Sequence, residues 1–431
     1  MRENSEYIKE NKMTKESNGN SDFWAYKSEH YNQDEQLILL DNVQFIYELA
    51  LAQLELQSLG VNFEITNGLR KFNFLNNIDE NELIKKLAYF KYVNGKQTNY
   101  YQIIQKNRTR SVNQYLTHWI YPYKGKFHPQ MIRALLNIIG LNEGDTVLDP
   151  YIGSGTTAVE AQLLGINCVG IDISPLCALL SKVKTESIYV LPQILDWKDE
   201  VIKRIKPSLL NLEDQTIDET INIISEEKVR NFFEMAKLVS ISDNARRGKD
   251  FSNSFLKNIE LMIASVSDYV EIVKKLNLKL GSIDIRKSDS RLLPLEDNSI
   301  DGIVTSPPYS IALDYVSNDA HSLKELGFNI SEIREKFIGV RGKGQTRIDL
   351  YNNDMKRSLD EMYRVLKPNK FAAIILGNAT YLGQEVNTVE FTIEYAEKIG
   401  FKLVKNIDKI IFGLYNVMQK ENILIFQKAI K

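Results

Sequence analysis

The pattern of apolar and polar positions changes character several times along the chain. Residues 1–36 carry Asn, Ser, Glu and Lys with no apolar period, which predicts a disordered polar tail. An apolar pattern then begins in QLILLDNVQFIYELALAQLELQSLG and stops at Gly60, the spacing of an amphipathic helix with a glycine end. Tyr and Phe are scattered among lysines as far as residue 115, so 37–115 reads as an N-terminal accessory region of unassigned fold. From Thr146 the punctuation is sharper. TVLDPYIGSG runs from β-branched residues into a Gly-rich turn, TTAVEAQLLG is a helix stopped by Gly165, and NCVGIDIS is a second strand. Strand, helix and strand in that order predict a parallel unit.

Residues 191–280 interrupt the alternation with long helical segments, EEKVRNFFEMAKLVS and FLKNIELMIASVSDYVEIVKKL, and read as a helical insertion. The alternation resumes with SIDIRKSD, SIDGIVTSPPY, the helix NNDMKRSLDEMYRVL, the strand KFAAIILGN, a helix from Thr388 to Ile399, and the pair FKLVKNIDKI and NILIFQKAI. The expected fold is α/β. A doubly wound, Rossmann-like sheet is built from 116–190 and 281–431 and ends in a C-terminal β-hairpin; the insertion and the N-terminal accessory region are additions to it.

Composition narrows the class without naming a chemistry. A chain of 431 residues exceeds one ordinary core, and 43% hydrophobic with 26% charged residues excludes wholesale disorder and fibrous repeats. The longest apolar runs, such as Phe371 to Leu376, are too short for a membrane span, and no secretory signal opens the chain; a cytoplasmic, non-membrane protein is expected. Cys168 and Cys177 have neither disulfide-framework nor zinc-site spacing, and no metal is expected. A formal charge of −2 moves attention to local clusters, at Arg246, Arg247 and Lys249 and at Arg341, Lys343 and Arg347.

The first Gly-rich turn reads Asp149-Pro150-Tyr151-Ile152-Gly153-Ser154-Gly155-Thr156-Thr157, a loop whose glycines let the backbone approach a ligand at a helix start. It lacks the Gly-Lys-Ser/Thr of a phosphate loop, and an acidic residue precedes the turn. Asp149 and the hydroxyl cluster suit a cationic, hydrogen-bonding ligand such as S-adenosylmethionine, which carries an ammonium and a sulfonium. Asp172, ending the second strand, is placed to accept hydrogen bonds from ribose hydroxyls, its plainer alternative being a helix N-cap. Asp289, after the third strand, is either an acceptor for an adenine amino group or a turn residue.

Thr305-Ser306-Pro307-Pro308-Tyr309 follows the fourth strand, at the carboxyl edge beside the same crevice. An exocyclic base amine is a poor nucleophile because its lone pair is delocalised. Two acceptors, Ser306 Oγ and the Pro307 carbonyl, would localise it. Pro307 and Pro308 stiffen the loop, and Tyr309 offers a flat face to a base turned out of a duplex. Alone, such a tetrapeptide is an ordinary Pro-Pro turn; beside the Gly-rich loop it reads as a reaction centre.

These motifs, in this order, resemble the amino-methyltransferases of DNA, which make N4-methylcytosine or N6-methyladenine. The resemblance covers residues 117–184 and 282–429. It matches the family's D-P-F-x-G-S-G-T-T loop with Tyr151 in place of Phe, and implies S-adenosylmethionine contacts at Asp149, Pro150, Gly153, Gly155, Thr156, Thr157 and Asp172. Lys126-Phe127-His128-Pro129 looks like the family segment that packs on the methionine end, which brings in Phe127 and Pro129. The form Ser-Pro-Pro-Tyr is similar to that most associated with cytosine N4, and adenine N6 stays open on the chemistry. The resemblance implies double-stranded DNA as substrate; a cognate restriction endonuclease is the companion such an enzyme suggests.

The motifs admit other chemistries. Cytosine C5 chemistry needs a Pro-Cys nucleophile, which neither cysteine provides. An RNA guanine-N2 methyltransferase shares both loops, and a non-catalytic nucleic-acid-binding module would keep the sheet without turnover. A nicotinamide enzyme leaves the Pro-Pro-Tyr loop unexplained. For target recognition the insertion, with Arg246, Arg247 and Lys249, is the first candidate; IGVRGKGQTR at 338–347 is the second and the N-terminal region the third.

Overall fold

The computed structural model describes residues 36–430 apart from 67, 108–110, 112, 212–213, 309–313, 382–383 and 413–417. The expected tail, all but Gln36, and Tyr309 of the reaction loop lie outside the described residues. Seven strands form the central sheet: β1 (Thr146–Asp149), β2 (Asn167–Asp172), β3 (Ile283–Lys287), β4 (Ile300–Thr305), β5 (Leu366–Leu376), β6 (Phe401–Phe412) and β7 (Met418–Lys428). Their order is β6-β7-β5-β4-β1-β2-β3. The four inner pairings, which join the five strands from β3 to β5, are parallel where they meet, and β7 runs antiparallel to both β5 and β6. This is the expected Rossmann-like sheet with its C-terminal hairpin.

Alternation of side chains explains why both faces of the sheet are covered. Val147, Val304, Ala373, Ile375, Ile423 and Ile425 point into one core. Their neighbours Leu148, Ile303, Ala372, Ile374 and Leu424 point into the other. Successive strand residues face opposite sides, so a strand covered twice must be apolar throughout, as IIL in β5 is. Strand order reverses between β1 and β4, and the crevice at their carboxyl ends is where such sheets take ligands.

The N-terminal region carries its own antiparallel sheet. Strands Phe63–Thr66, Lys71–Phe74, Gln36–Leu39, Phe90–Val93 and Lys96–Gln97 lie in that order. Sequence spacing placed Gln36–Leu39 in a helix; it is instead a central strand paired on both sides, with Leu37 and Leu39 buried. A four-residue apolar run is ambiguous by itself, and here sheet pairing decides it. The helix Ile46–Ser58 starts only after the Asp41–Asn42 turn and ends before Gly60, whose φ is 72°.

This module is fastened to the helix Pro129–Ile138 of the main domain by buried polar bonds. Asn137 Nδ2 donates to Glu55 Oε1 at 2.7 Å and to the Lys86 carbonyl at 2.9 Å. Arg133 donates to the carbonyls of Lys85 and Lys86, and Gln130 to that of Ala88. Arg133 also reaches Glu160 Oε2 at 3.2 Å, in the helix Thr156–Leu163 behind the Gly-rich loop. On the other flank, the insertion's helices Leu191–Asn211, Asp214–Asn222, Glu227–Arg247 and Phe251–Lys275 pack around Phe232, Phe233, Ile259 and Met262.

Glu55 is fully buried and accepts from the Ala88 amide at 2.8 Å as well as from Asn137. Burial pushes its carboxyl up to about 7, with those donors pulling the other way. The folded chain therefore binds this proton more tightly than the unfolded one. Its contribution favours the fold at pH 4.5 and below and is lost as pH rises through about 7. Glu55→Gln should flatten that slope: urea unfolding will show equal stability for variant and parent near pH 4.5, and a more stable variant at pH 8.

Candidate active site

The loop after β1 is shaped by its two glycines and anchored from several sides. Gly153 and Gly155 have φ of 50° and 78°, a region that side chains with a Cβ avoid. A Cβ on Gly155 would lie 2.8 Å from Ser181 Oγ and 3.0 Å from its Cα. The Gly153 amide donates to Asp172 Oδ2 at 2.9 Å, Ser181 Oγ donates to the Gly153 carbonyl at 3.3 Å, and Lys184 Nζ donates to the Ser154 carbonyl at 2.7 Å. Lys184 is completely buried, and burial pushes its ammonium well below the usual lysine range.

Asp149 joins this loop to the second one. Its Oδ2 accepts from Thr157 Oγ1 at 2.7 Å, and its Oδ1 accepts from the Tyr151 amide at 3.1 Å and from Thr305 Oγ1 at 2.6 Å. Thr305 is the last residue of β4, directly before Ser306. Burial raises the Asp149 carboxyl to about 6 despite the hydroxyl donors. Further along the second loop, Tyr351 Oη donates to the Pro308 carbonyl at 3.1 Å. Tyr351 stands on the helix Gln345–Val365, so the reaction loop is gripped at both described ends.

Both loops open on one cleft of about 930 Å³. Of the residues singled out from sequence, Phe127, Pro150, Gly153, Asp172, Asp289, Ser306 and Pro308 line it. Asp149, Gly155, Thr156, Thr157, Pro129 and Pro307 are buried behind that wall. Pro129 is the first residue of its helix, where a missing N–H costs nothing. Asp172 has one oxygen on the Gly153 amide and the other on the Ser174 amide at 2.8 Å, and burial raises its carboxyl to about 6. The helix N-cap is Ser174, not Asp172. Asp289 is bracketed by Arg291 at 2.7 Å; burial works against its charge, and the guanidinium more than offsets it, holding the carboxyl below its ordinary range.

Other parts of the wall carried no motif. Tyr123, Tyr315 and Phe337 stack in series, with ring centroids 6.2 and 6.1 Å apart. They are far apart in sequence, so no local pattern announces them. Tyr151, where the resembled family has Phe, uses its extra hydroxyl to donate to Ser358 Oγ at 2.7 Å.

Residues 2–182, less than half of the chain, match the N6/N4 methyltransferase family model, described as DNA methylase. The Type II methyltransferase M.BsoBI of Geobacillus stearothermophilus is 24% identical over 407 residues, spanning 68% of this chain and 80% of that protein. M.MjaII, a Type II methyltransferase of Methanocaldococcus jannaschii, is 37% identical over 135 residues, 31% of this chain and 22% of that protein. Over these stretches the chain is similar to the DNA amino-methyltransferase family. A tRNA (guanine(10)-N2)-dimethyltransferase of M. jannaschii is also similar, 31% identical over 117 residues, 27% of this chain and 31% of that enzyme. The cofactor of the resembled family, S-adenosylmethionine, suits the cleft: Asp172, Asp289, apolar Ile173 and aromatic Tyr123 all line it, acceptors and a flat surface for a cationic nucleoside.

The basic clusters of this chain are largely spent on internal partners. Arg246 donates to Asp319 at 2.6 Å and to the carbonyls of Pro122 and Asn318; Arg247 and Lys249 both pair with Asp243. Arg341 pairs with Asp354, and Arg347 donates to the Gly339 carbonyl. Among the described residues no helix is long and apolar enough to cross a membrane.

Two substitutions probe the frame. Thr305→Val removes one donor from a buried carboxylate and should cost about 1–3 kcal/mol of stability in chemical denaturation, slowing methyl transfer more than it weakens cofactor affinity. Gly155→Ala meets both a positive φ and the Ser181 backbone; calorimetry should show cofactor affinity reduced at least about tenfold, since strain and clash together reach about 1–3 kcal/mol.

Proposed function

We propose that this chain transfers a methyl group from S-adenosylmethionine to the exocyclic amine of a base flipped out of double-stranded DNA, with cytosine N4 as the favoured acceptor, as the modification arm of a restriction-modification pair. The observation that carries the reading is the shared cleft. Ser306 and Pro308 line it together with Gly153 and Asp172, and Asp149 fastens the two loops to each other.

When bound, the cofactor supplies an electrophilic methyl group. This chain's residues must make the amine nucleophilic and hold it still. Ser306 Oγ accepts one amino hydrogen and the Pro307 carbonyl the other, which draws the nitrogen toward tetrahedral geometry and directs its lone pair. Pro308 cannot serve equally, because its carbonyl already takes the Tyr351 hydroxyl. Tyr309 stacks on the extruded base in this reading. Asp172 receives the ribose hydroxyls and Asp289, already oriented by Arg291, the adenine amino group. Phe127 packs beside the methionine end. As the amine gains its methyl group it releases one proton, which balances the transfer.

Labelled methyl transfer to unmodified duplex DNA, followed by digestion to nucleosides, tests all of this. N4-methylcytosine is the expected product. N6-methyladenine would correct the base, and label in tRNA but not in DNA would replace the reading with RNA guanine chemistry. Ser306→Ala should lower kcat by about 10²-fold with cofactor affinity unchanged, because it removes an acceptor that matters as charge develops. An unchanged kcat would remove Ser306 from the reaction.

A further inference from the structure

Part of the cleft wall comes from the N-terminal module. Phe45 and Tyr47 line it, as do Lys409 and Lys420 of the hairpin. The two aromatic rings stack at 5.8 Å, and Tyr47 is buried. Ile46, between them in sequence, does the opposite: it is 90% exposed, the most exposed large hydrophobic side chain among the described residues. It is the first residue of the helix Ile46–Ser58, whose start is fixed by Glu48 accepting from the Gln44 and Phe45 amides at 2.8 and 3.0 Å. That helix is fastened to the main domain through Glu55 and Asn137. An apolar side chain is thus held rigidly in solvent at the lip of the cavity that contains Ser306.

Neither other candidate for reading DNA has this placement. No described residue from 174 to 288 lines the cleft, and Arg246 and Arg247 of the insertion are paired internally. The glycine-containing segment Ile338–Arg347 meets the cleft only through Ile338.

Resting on the methyltransferase reading above, we infer that the partner of this lip is the DNA duplex itself, and that Ile46 inserts into the base stack and fills the place vacated by the target base. A base that reaches Ser306 leaves an unstacked gap at the mouth through which it passed. Apolar wedges are a general means of offsetting such unstacking, and a rigid β-branched residue loses little entropy on insertion. Phe45 and Tyr47 then flank the route of the base, which makes the N-terminal module, not the insertion, the element that opens the duplex.

The test uses the full-length enzyme and a short duplex carrying the site that the wild type is found, by sequencing, to methylate. A second duplex places a mismatch opposite the target base, which lowers the energy of extrusion. Ile46→Ala should slow methylation of the matched duplex about tenfold or more, and recover to within about twofold of wild type on the mismatched one, the loss being one of extrusion energy. Ile46→Val should behave as wild type on both, and thermal unfolding and S-adenosylmethionine affinity should be unchanged in each variant. A matched-duplex rate for Ile46→Ala within about twofold of wild type, or an equal loss on the two duplexes, overturns the wedge and leaves the methyltransferase reading intact. Failure of the wild type to methylate DNA at all would overturn that reading and this one with it.

Discussion

The geometry of the site depends on one buried carboxylate. Asp149 accepts hydrogen bonds from Thr157, in the helix that follows the Gly-rich loop, and from Thr305, at the end of the strand that delivers Ser306. Burying a carboxylate is unfavourable unless its lone pairs are satisfied, and three donors from two neighbouring strand ends satisfy this one. The alignment of the Gly-rich loop with the Pro-Pro loop is therefore an electrostatic requirement of the core. Displacing either loop would strand a charge or force the carboxyl to take up a proton, which its raised pKa of about 6 already favours.

A second layer of constraint supports the first. Lys184 and Ser181 hold carbonyls of the Gly-rich loop from behind, and Tyr351 holds the Pro308 carbonyl from the helix Gln345–Val365. Tyr151 joins the same helix through Ser358. Hydrophobic packing positions the strands, and these directional bonds set the orientation of the loops that project from them.

Much of this is legible in the amino-acid order alone. Strand order, the Gly-rich turn and the position of Ser306 follow from alternation and punctuation, which are local signals. What was hidden depends on pairing at a distance. Gln36–Leu39 reads as the start of a helix until two partner strands claim it. Arg246 reads as a phosphate ligand until Asp319, 73 residues on, takes its guanidinium. Tyr123, Tyr315 and Phe337 become a wall only when folding stacks them. Asp149 was legible as a member of the cofactor loop, while its bond to Thr305 spans 156 residues and belongs to the sheet.

The attachment of the N-terminal module carries a consequence for how such a molecule can change. Arg133, Gln130 and Asn137 grip it mainly by main-chain carbonyls, those of Lys85, Lys86 and Ala88. Every amino acid supplies a carbonyl, so these bonds, unlike that between Glu55 and Asn137, do not depend on which side chains stand at positions 85, 86 and 88. The surface that the module turns toward the cleft can accordingly be rewritten while the module stays docked. Under the proposed reading, a sheet tied this way acquires new target preferences through substitutions in the module that leave the residues of the sheet unchanged.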